Sequence, residues 1–209
     1  MKTLAILGAG DLGQQIAHYA LSDGHYEKVV FFDDFTSEKT INNCKVLGAT
    51  SDLLGAFDNH LFNELIIGVG YKHLKKRKEL FENFNGKIPF GKIVHSSSWI
   101  DPSAIIEEGC VIYPCCSIDA KAKIQANTVV NIGCTIAHDS IVGCHTFLSP
   151  RVAIAGFVLV EDECILGINS TLIDNITIQS GTQIGGGTVV IQSIKKSGLY
   201  VGNPAKFIR

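Results

Sequence analysis

The strongest constraint on this chain is an aliphatic residue that recurs at every sixth position from residue 100 to residue 190. The series consists of Ile100, Ile106, Ile112, Ile118, Ile124, Val130, Ile136, Val142, Leu148, Ile154, Val160, Leu166, Leu172, Ile178, Ile184 and Val190. Four residues after each member comes a second register of mostly small side chains, such as Ala104, Cys110 and Thr128. A period of six fits neither an α-helix, whose apolar stripe recurs at three and four, nor an alternating strand. It predicts short strands stacked as coils around a narrow apolar interior.

Composition places the chain among ordinary soluble proteins and narrows its partners. The 209 residues are 46% hydrophobic and 18% charged, which is enough to bury a substantial core. A net charge of −2 with mixed signs suits neither a nucleic-acid backbone nor an anionic membrane, so we expect neither partner. No run reaches the roughly 18 apolar residues of a membrane span, and the start lacks a signal-peptide cleavage site. We therefore expect a cytoplasmic protein.

The cysteines predict core packing rather than disulfides. There are seven of them, an odd number, and their spacing lacks zinc-type pairs. Four occupy the small register of the hexads, and these are Cys110, Cys116, Cys134 and Cys164. We expect them to be reduced thiols that fill the interior of the coil.

The first part of the chain carries the pattern of a nucleotide-binding unit. A strand over residues 2–7 leads into a glycine turn at 8–13, a helix over 14–21 and a second strand over 28–32 that ends in Asp33 and Asp34. Glycines let the backbone turn tightly and approach a ligand, and the helix start offers N–H groups to a phosphate. An acid after the second strand can bind a ribose hydroxyl.

The size of this first unit limits which ligand it can take. A strand over 64–68, a helix over 72–84 and a strand over 91–95 complete it, which is short for the two halves of a dinucleotide fold. A mononucleotide or nucleotide-sugar site is favoured, while an NAD site and a purely structural glycine turn remain open. The four lysines and one arginine at 72–78 indicate either a solvated helix face or a contact with an anionic ligand.

Within the hexads, His138 and Asp139 stand at outward positions next to a corner. With three hexads per coil, residues eighteen apart stack, so His138 should lie between Ala120 and Gly156, and the missing side chain above it should leave a gap. A neutral imidazole there could accept a proton from an attacking amine or hydroxyl, while the acid fixes its tautomer. The alternatives are an exposed corner histidine and a metal site with His145, although three histidines would be usual for zinc.

Several motifs together carry a resemblance to a known family. They are GAGDLG at 8–13, FFDDF at 31–35, the hexads, IAHDSIVG at 136–143, GINS at 167–170, IGGGTVV at 184–190 and YVGNPAK at 200–206. The chain resembles the sialic-acid and nucleotide-amino-sugar acetyltransferases, a group that includes bacillosamine and perosamine N-acetyltransferases and sialic-acid O-acetyltransferases. The likeness spans essentially all 209 residues.

This resemblance implies a fold and an assembly. The fold is an α/β Rossmann-like sugar-nucleotide-binding domain over residues 1–95, a left-handed parallel β-helix over 96–194 and a C-terminal tail over 195–209. The left hand comes from the resemblance alone, because the general rule for parallel crossovers gives a right hand. The implied assembly is a homotrimer with active sites between neighbouring subunits. The implied co-substrate is acetyl-CoA, with no metal.

The resemblance also implies roles for individual residues. His138 would be the general base and Asp139 the acid that supports it. The implied acetyl-CoA contacts are Phe147, Gly156, Ile168 and Gly186. The implied sugar-nucleotide contacts are Gly8, Gly10, Asp11, Leu12, Asp33, Asp34 and Gly70. The chain departs from the family at Asp11-Leu12, where glycine and histidine are common, and at Phe147, where a histidine is common.

The function predicted from the sequence is transfer of an acetyl group from acetyl-CoA to the amino group of a nucleotide-linked amino sugar. His138 would act as the base in a direct transfer without a covalent enzyme intermediate. The first alternative is O-acetylation of a sialic acid or related sugar hydroxyl with the same base. The second is a non-catalytic nucleotide-sugar binding protein, which the Asp11-Leu12 departure suggests.

Overall fold

The structure is a computed structural model that describes residues 2–209. The chain divides into two compact units, one ending at Ile93 and the other covering Val94–Arg209. Within residues 2–209, no helix is both long and apolar enough to cross a membrane.

The first unit is a small, mainly parallel sheet with helices. Its elements are β1 (Thr3–Leu7), α1 (Asp11–Ser22), β2 (Lys28–Phe32), β3 (Thr40–Ile41), β4 (Cys44–Gly48), α2 (Leu53–Asp58), β5 (Glu64–Ile67) and α3 (Leu74–Phe84), with 3-10 turns at Thr50–Asp52 and Tyr71–His73. The strand order is β3-β4-β2-β1-β5, and only the β3–β4 pair is antiparallel. Strands β1 and β5 are buried runs of aliphatic residues, as expected for parallel strands covered on both faces.

The boundaries of these elements differ in part from the sequence expectation. Helix α1 begins at Asp11, three residues earlier than predicted, with Gly10 as its N-cap. An aspartate in the first turn is favourable there because the helix dipole is positive at that end. The helix predicted over 72–84 is split into a 3-10 turn and α3, and the segment from β3 to α2 was not predicted.

The basic segment at 72–78 is a solvated face except for Arg77. Arg77 is fully buried, because it lies on the apolar stripe of α3 together with Leu74, Leu80 and Phe84. Its guanidinium donates hydrogen bonds to the carbonyl oxygens of Ile67 and Val69, the latter at 3.2 Å. The prediction of a wholly solvated or ligand-binding basic face was therefore wrong for this residue, which ties α3 to the carboxyl end of β5.

The second unit is a parallel β-helix with three sheets as its faces. The first sheet contains β7 (Trp99–Ile100), β10 (Ser117–Ile118), β13 (Thr135–Ile136), β16 (Ala153–Ile154), β19 (Thr171–Leu172) and β22 (Val189–Val190). The second contains β8 (Ile105–Ile106), β11 (Lys123–Ile124), β14 (Ile141–Val142), β17 (Leu159–Val160) and β20 (Thr177–Ile178). The third contains β6 (Ile93–Val94), β9 (Val111–Ile112), β12 (Val129–Val130), β15 (Phe147–Leu148), β18 (Ile165–Leu166), β21 (Gln183–Ile184), β23 (Leu199–Val201) and β24 (Lys206–Phe207).

The register of the β-helix confirms the stacking predicted from the hexads. Residues eighteen apart are paired on every face, for example Ile118 with Ile136 and Ile136 with Ile154. The aliphatic series and the small register form one apolar core, in which Cys110, Cys134 and Cys164 are fully buried. All seven cysteines are free thiols.

The corners of the β-helix have a regular backbone conformation. From Gly109 to Gly187, every sixth residue has a positive φ of 55° to 72°. Glycine, asparagine and aspartate tolerate this left-handed region best, and bulky side chains rarely adopt it. Asp139 is one of these corner residues, with φ 56°.

The coil ends with β23, which pairs in parallel with β21 and antiparallel with β24, so the segment after residue 194 extends the third sheet.

Candidate functional site

The candidate catalytic pair lies at the edge between the first and second sheets, which we call the His138 edge. His138 Nδ1 is 3.0 Å from Asp139 Oδ2, and the His138 side chain is 49% exposed. An ionised carboxylate can only accept a hydrogen bond, so this contact places the proton on Nδ1. The lone pair of Nε2 is then directed away from Asp139 and is available to a substrate.

Gly156 lies one coil above His138, as the eighteen-residue stacking predicts. A β-carbon added at Gly156 would lie 2.8 Å from His138 Cε1 and 2.9 Å from Nε2. Real β-carbons essentially never come this close to another heavy atom. The absence of a side chain at 156 is therefore what allows the imidazole to occupy its position.

Two further side chains border this pair, and neither was predicted from the sequence. The ring of Phe157 contacts the His138 ring edge-to-face, with centroids 5.1 Å apart and an interplanar angle of 87°. Lys121 Nζ is 3.9 Å from Asp139 Oδ1, but its side chain is 74% exposed, so this ion pair is weak. Both residues stand eighteen positions from Asp139, so counting eighteen residues in both directions would have found them.

The four predicted acetyl-CoA contacts do not lie together in the single chain. Ile168 and Gly186 stack at a different edge, between the third and first sheets, which we call the Ile168 edge; a β-carbon at Gly186 would lie 3.1 Å from Ile168 Cγ2. Ile168 is 50% exposed, whereas Phe147, in β15 of the third sheet, is only 5% exposed. Within one chain Phe147 and Gly156 are therefore buried, the latter beneath the His138 ring, whereas Ile168 and Gly186 are exposed.

In the first unit, the glycine turn is held to the end of β2 by Asp33. The Asp33 carboxylate accepts hydrogen bonds from the backbone N–H groups of Ala9 at 2.7 Å, Phe35 at 2.9 Å and Thr36 at 3.0 Å. Partial burial acts to raise the pKa of Asp33, but these backbone donors outweigh it and the pKa is lowered. Asp33 is thus ionised at neutral pH and joins the two loops that would flank a ligand.

The remaining predicted sugar-nucleotide residues surround the same end of the sheet. Gly8 has φ 106°, and a β-carbon on Gly13 would lie 1.9 Å from the carbonyl oxygen of Gly8, so α1 approaches β1 closely. Gly10 has no heavy atom within 4 Å of an added β-carbon. Asp11 is exposed and Leu12 is half-buried in the first turn of α1.

Asp34 and Gly70 have different surroundings. Both oxygens of the Asp34 carboxylate accept hydrogen bonds from Thr50, through its N–H and its hydroxyl, each at 2.7 Å. Gly70 is the N-cap of the 3-10 turn after β5, and no heavy atom lies within 4 Å of an added β-carbon.

The structure also places Phe35, whose ring is 97% exposed, two residues after Asp33. An aromatic residue so close to the acid pair was visible in the sequence but was not predicted to have a role.

Enclosed cavities do not mark the His138 site. One cavity of about 300 Å³ is lined by residues 190–196 with Tyr200 and Ala205, at the C-terminal end of the coil. A second, of about 290 Å³, is lined by Gln125, residues 159–162 and Ser180. Neither touches His138, which lies on an open surface of the single chain.

Potential metal ligands are dispersed over the part of the chain that the structure describes. Among residues 2–209, no three histidine, cysteine or acidic side chains converge as a metal site would require. His145, considered from the sequence as a metal ligand, is buried and its Nδ1 is 2.9 Å from Asn127 Nδ2. Burial raises the pKa of Cys164 to about 12, so this core thiol remains protonated.

Comparison with known proteins gives matches over both units. The PglD N-terminal domain model matches residues 3–84. The acetyltransferase domain of PglB from Neisseria gonorrhoeae, solved in complex with acetyl coenzyme A, is 28% identical with a TM-score of 0.91 and 99% coverage of both chains. PerB from Caulobacter crescentus, solved with CoA and GDP-perosamine, has a TM-score of 0.90 over 100% of this chain and 98% of its own; at 24% identity, that likeness concerns the fold.

A shorter match connects the chain to a curated enzyme. A UDP-3-O-acylglucosamine N-acyltransferase from Bordetella pertussis is 36% identical over 67 residues, which are 32% of this chain and 18% of that protein. The chain thus spans about a fifth of the length of the curated relatives that it matches first.

Proposed function

We propose that this chain is a member of the hexapeptide-repeat nucleotide-amino-sugar N-acetyltransferases, and that it transfers the acetyl group of acetyl-CoA to an amino group of a nucleotide-linked sugar; the matches over both units support this. The observation that carries the proposal is the His138 geometry. Its Nδ1 lies 3.0 Å from Asp139 Oδ2, and the missing side chain at Gly156 gives the imidazole the room to take this orientation. An imidazole oriented in this way is suited to accept a proton.

His138 is the general base in this proposal. The Asp139 carboxylate keeps the proton on Nδ1, so the neutral imidazole presents the Nε2 lone pair. Nε2 accepts the proton that the sugar amine loses as it becomes an amide nitrogen, and the imidazolium later returns a proton to the leaving thiol. The negative charge of Asp139 stabilises the imidazolium between these two steps. No covalent intermediate on the protein is required.

Acetyl-CoA would supply the acetyl group as an activated thioester. We assign its contacts to Gly156, which lies against the His138 ring, and to the exposed positions Ile168 and Gly186. Phe147 is part of the proposed set only if its packed ring becomes accessible, because it is 5% exposed in the single chain. The residues present thus fit an extended ligand along the coil, although they occupy two edges.

The separation of the two edges supports a shared active site. Gly156 is beside His138 at one edge, whereas Ile168 and Gly186 lie at the Ile168 edge. A homotrimer would bring the His138 edge of one subunit towards the Ile168 edge of its neighbour, and we propose this assembly. We also propose that the coil winds in a left-handed sense.

The first unit is proposed to bind the sugar nucleotide in a Rossmann-like manner. Gly8 and Gly10 would let the phosphates approach the backbone, and Asp33, Asp34 and Gly70 would line the remainder of the site. The exposed ring of Phe35 is a surface on which a base could stack. Asp11 and Leu12 stand at the start of α1, where the added negative charge disfavours a pyrophosphate directly at the helix end. We therefore propose a pose in which the phosphates contact the glycine turn rather than the N–H groups of α1.

The alternative acceptor is a sugar hydroxyl, and the same base would serve it. A hydroxyl is the weaker nucleophile and depends more on the base, so the His138 geometry suits both acceptors. The product distinguishes them, because an ester is cleaved by neutral hydroxylamine and an amide is not. A non-catalytic sugar-nucleotide binding protein would give neither product.

A two-step experiment tests the proposal. A thermal-shift screen of UDP-, GDP-, dTDP- and CMP-linked sugars, with and without CoA, first identifies the nucleotide. Thiol release from acetyl-CoA is then measured for the wild type, His138→Ala and His18→Ala, a change at another exposed histidine. We expect His138→Ala to lower kcat by roughly a hundredfold to ten-thousandfold and His18→Ala to leave it unchanged. Near-normal turnover in His138→Ala would refute the mechanism.

A further inference from the structure

We propose that Phe157 is a positioning residue for His138, holding the imidazole in the orientation that general-base catalysis requires. This inference rests on the proposed function, because it gives a role to a neighbour of the proposed base. It concerns a residue outside the apolar core, since Phe157 is 55% exposed in the single chain.

The backbone of Phe157 makes this residue type unexpected. Phe157 occupies a left-handed corner with φ 56°. Bulky side chains are disfavoured in this region, whereas asparagine adopts it readily. The corner one coil above has Asn175 at φ 58°, and Asn127 and Asn169 occupy corners of the other two edges. An asparagine at 157 would therefore be easier to accommodate, although other corners of the coil also carry larger side chains, such as Lys121 and Arg151.

The contact of Phe157 with His138 supplies a reason for that choice. The two rings meet edge-to-face at 87° with centroids 5.1 Å apart, which is a favoured geometry for aromatic pairs. The Phe157 N–H also donates a 3.2 Å hydrogen bond to the His138 carbonyl oxygen, so the two backbones are fixed relative to each other. The ring of Phe157 is thus placed beside the imidazole by the coil itself.

With this contact, the imidazole is restrained on three sides. Asp139 holds Nδ1 at 3.0 Å, Gly156 lies over Cε1 and Nε2, and Phe157 covers a side of the ring. Asp139 alone fixes the tautomer but allows His138 to change rotamer together with it. Because the His138 side chain is 49% exposed, little else in the chain would prevent such a change. Phe157 restricts it.

The test uses two substitutions of Phe157 and one matched control. Phe157→Asn removes the ring and suits the left-handed corner, so its unfolding temperature should equal or exceed that of the wild type. Phe157→Tyr keeps the ring and should behave as the wild type. Ile105→Asn makes a similar loss of an exposed apolar side chain in β8, away from both named edges, where Ile105 is 55% exposed. We expect Phe157→Asn to lower kcat about threefold to tenfold with little change in KM, and the control to lower neither.

A readout independent of turnover is the NMR signal of histidine Cε1 in protein labelled at that atom, with the His138 signal assigned from His138→Asn. In the wild type the ring current of Phe157 should shift this signal, and Phe157→Asn should remove the shift while Phe157→Tyr keeps it. If the wild type transfers acetyl and His138→Ala does not, but Phe157→Asn keeps both the kcat and the His138 signal of the wild type, the inference is overturned. A change in oligomeric state with an unmoved His138 signal would also overturn it. A wild type without acetyl transfer would instead refute the proposed function.

Discussion

Replacing Gly156 by alanine tests whether the gap above His138 is functional. The new methyl carbon would lie 2.8 Å from His138 Cε1, and ordinary contacts begin near 3.4 Å. The imidazole or the coil must therefore move by at least the difference, about 0.6 Å. The inward residues on either side of the corner are fully buried, Val158 at 1% and Ile154 at 2% exposure, so the partly exposed imidazole should move first.

The expected loss of activity follows from this displacement. Misplacing a catalytic group by about 1 Å can cost on the order of a hundredfold, so a shift of about 0.6 Å should lower kcat by roughly tenfold to a hundredfold. The assay is thiol release from acetyl-CoA at saturating sugar nucleotide. Unfolding temperature should change little, because the φ of Gly156 is not in the left-handed region and its β-carbon meets a side chain that can move.

Two controls separate this effect from a general cost of the added methyl group. Gly55→Ala adds a β-carbon in α2 with nothing within 4 Å, and it should keep turnover and stabilise the helix by about 0.5–1 kcal/mol. In a His138→Ala background, Gly156→Ala should cause no further loss, because both changes act through the same imidazole. Wild-type kcat in Gly156→Ala, or additive losses in the double variant, would contradict this reasoning.

Three further predictions follow from other contacts. Asp139→Asn suits the left-handed corner and should leave stability unchanged while lowering kcat at least about tenfold, since the amide no longer fixes the tautomer of His138; equal turnover would contradict this. Gly13→Ala brings a β-carbon to 1.9 Å from the Gly8 carbonyl oxygen and should destabilise the first unit by more than about 2 kcal/mol in urea denaturation, with an unchanged midpoint as the refuting result. Asp33→Asn should lower the urea midpoint at pH 7, because the ionised carboxylate accepts three backbone hydrogen bonds. The folded-state pKa of Asp33 lies below the usual 3.8, so this stabilisation is present above that value and is lost as pH falls through the folded pKa; the gap between the two proteins should narrow below pH 3.8.

The β-helix was predictable because its core repeats without interruption. One aliphatic residue per hexad fixes the inward positions, and the eighteen-residue pairing of Ile118, Ile136 and Ile154 then follows from three hexads per coil. The first unit was predicted less completely, because β3 and β4 are partly exposed strands without a clear period. The burial of Arg77 was missed for a related reason: a charged residue on an apolar stripe can be satisfied by backbone carbonyls that only the fold brings near.

In the candidate site, the residue stacked directly on His138 was predicted, whereas the neighbouring side chain that contacts its ring was missed. Gly156 over His138 is a direct result of counting eighteen residues. Counting eighteen residues from Asp139 locates Phe157, but the contact of its ring with His138 depends on how the two rings are turned, which a repeat does not specify. The burial of Phe147 was also beyond the repeat, because the hexads fix the residues that point inward and not the packing of those that point outward.

Because residues eighteen apart are paired, the β-helix can be lengthened in steps of one coil, or eighteen residues, without moving any residue to another face. Inserting a second copy of residues 143–160 directly after Val160 would shift every later residue by one whole coil, about 4.8 Å along the axis, and would keep each aliphatic on its face. Inserting six or twelve residues would instead carry the later positions to a different face. Ile168 and Gly186 can thus be placed one coil further from His138 without leaving their edge. The number of coils between His138 and Ile168 therefore sets the distance between the proposed base and the proposed acetyl-CoA contacts.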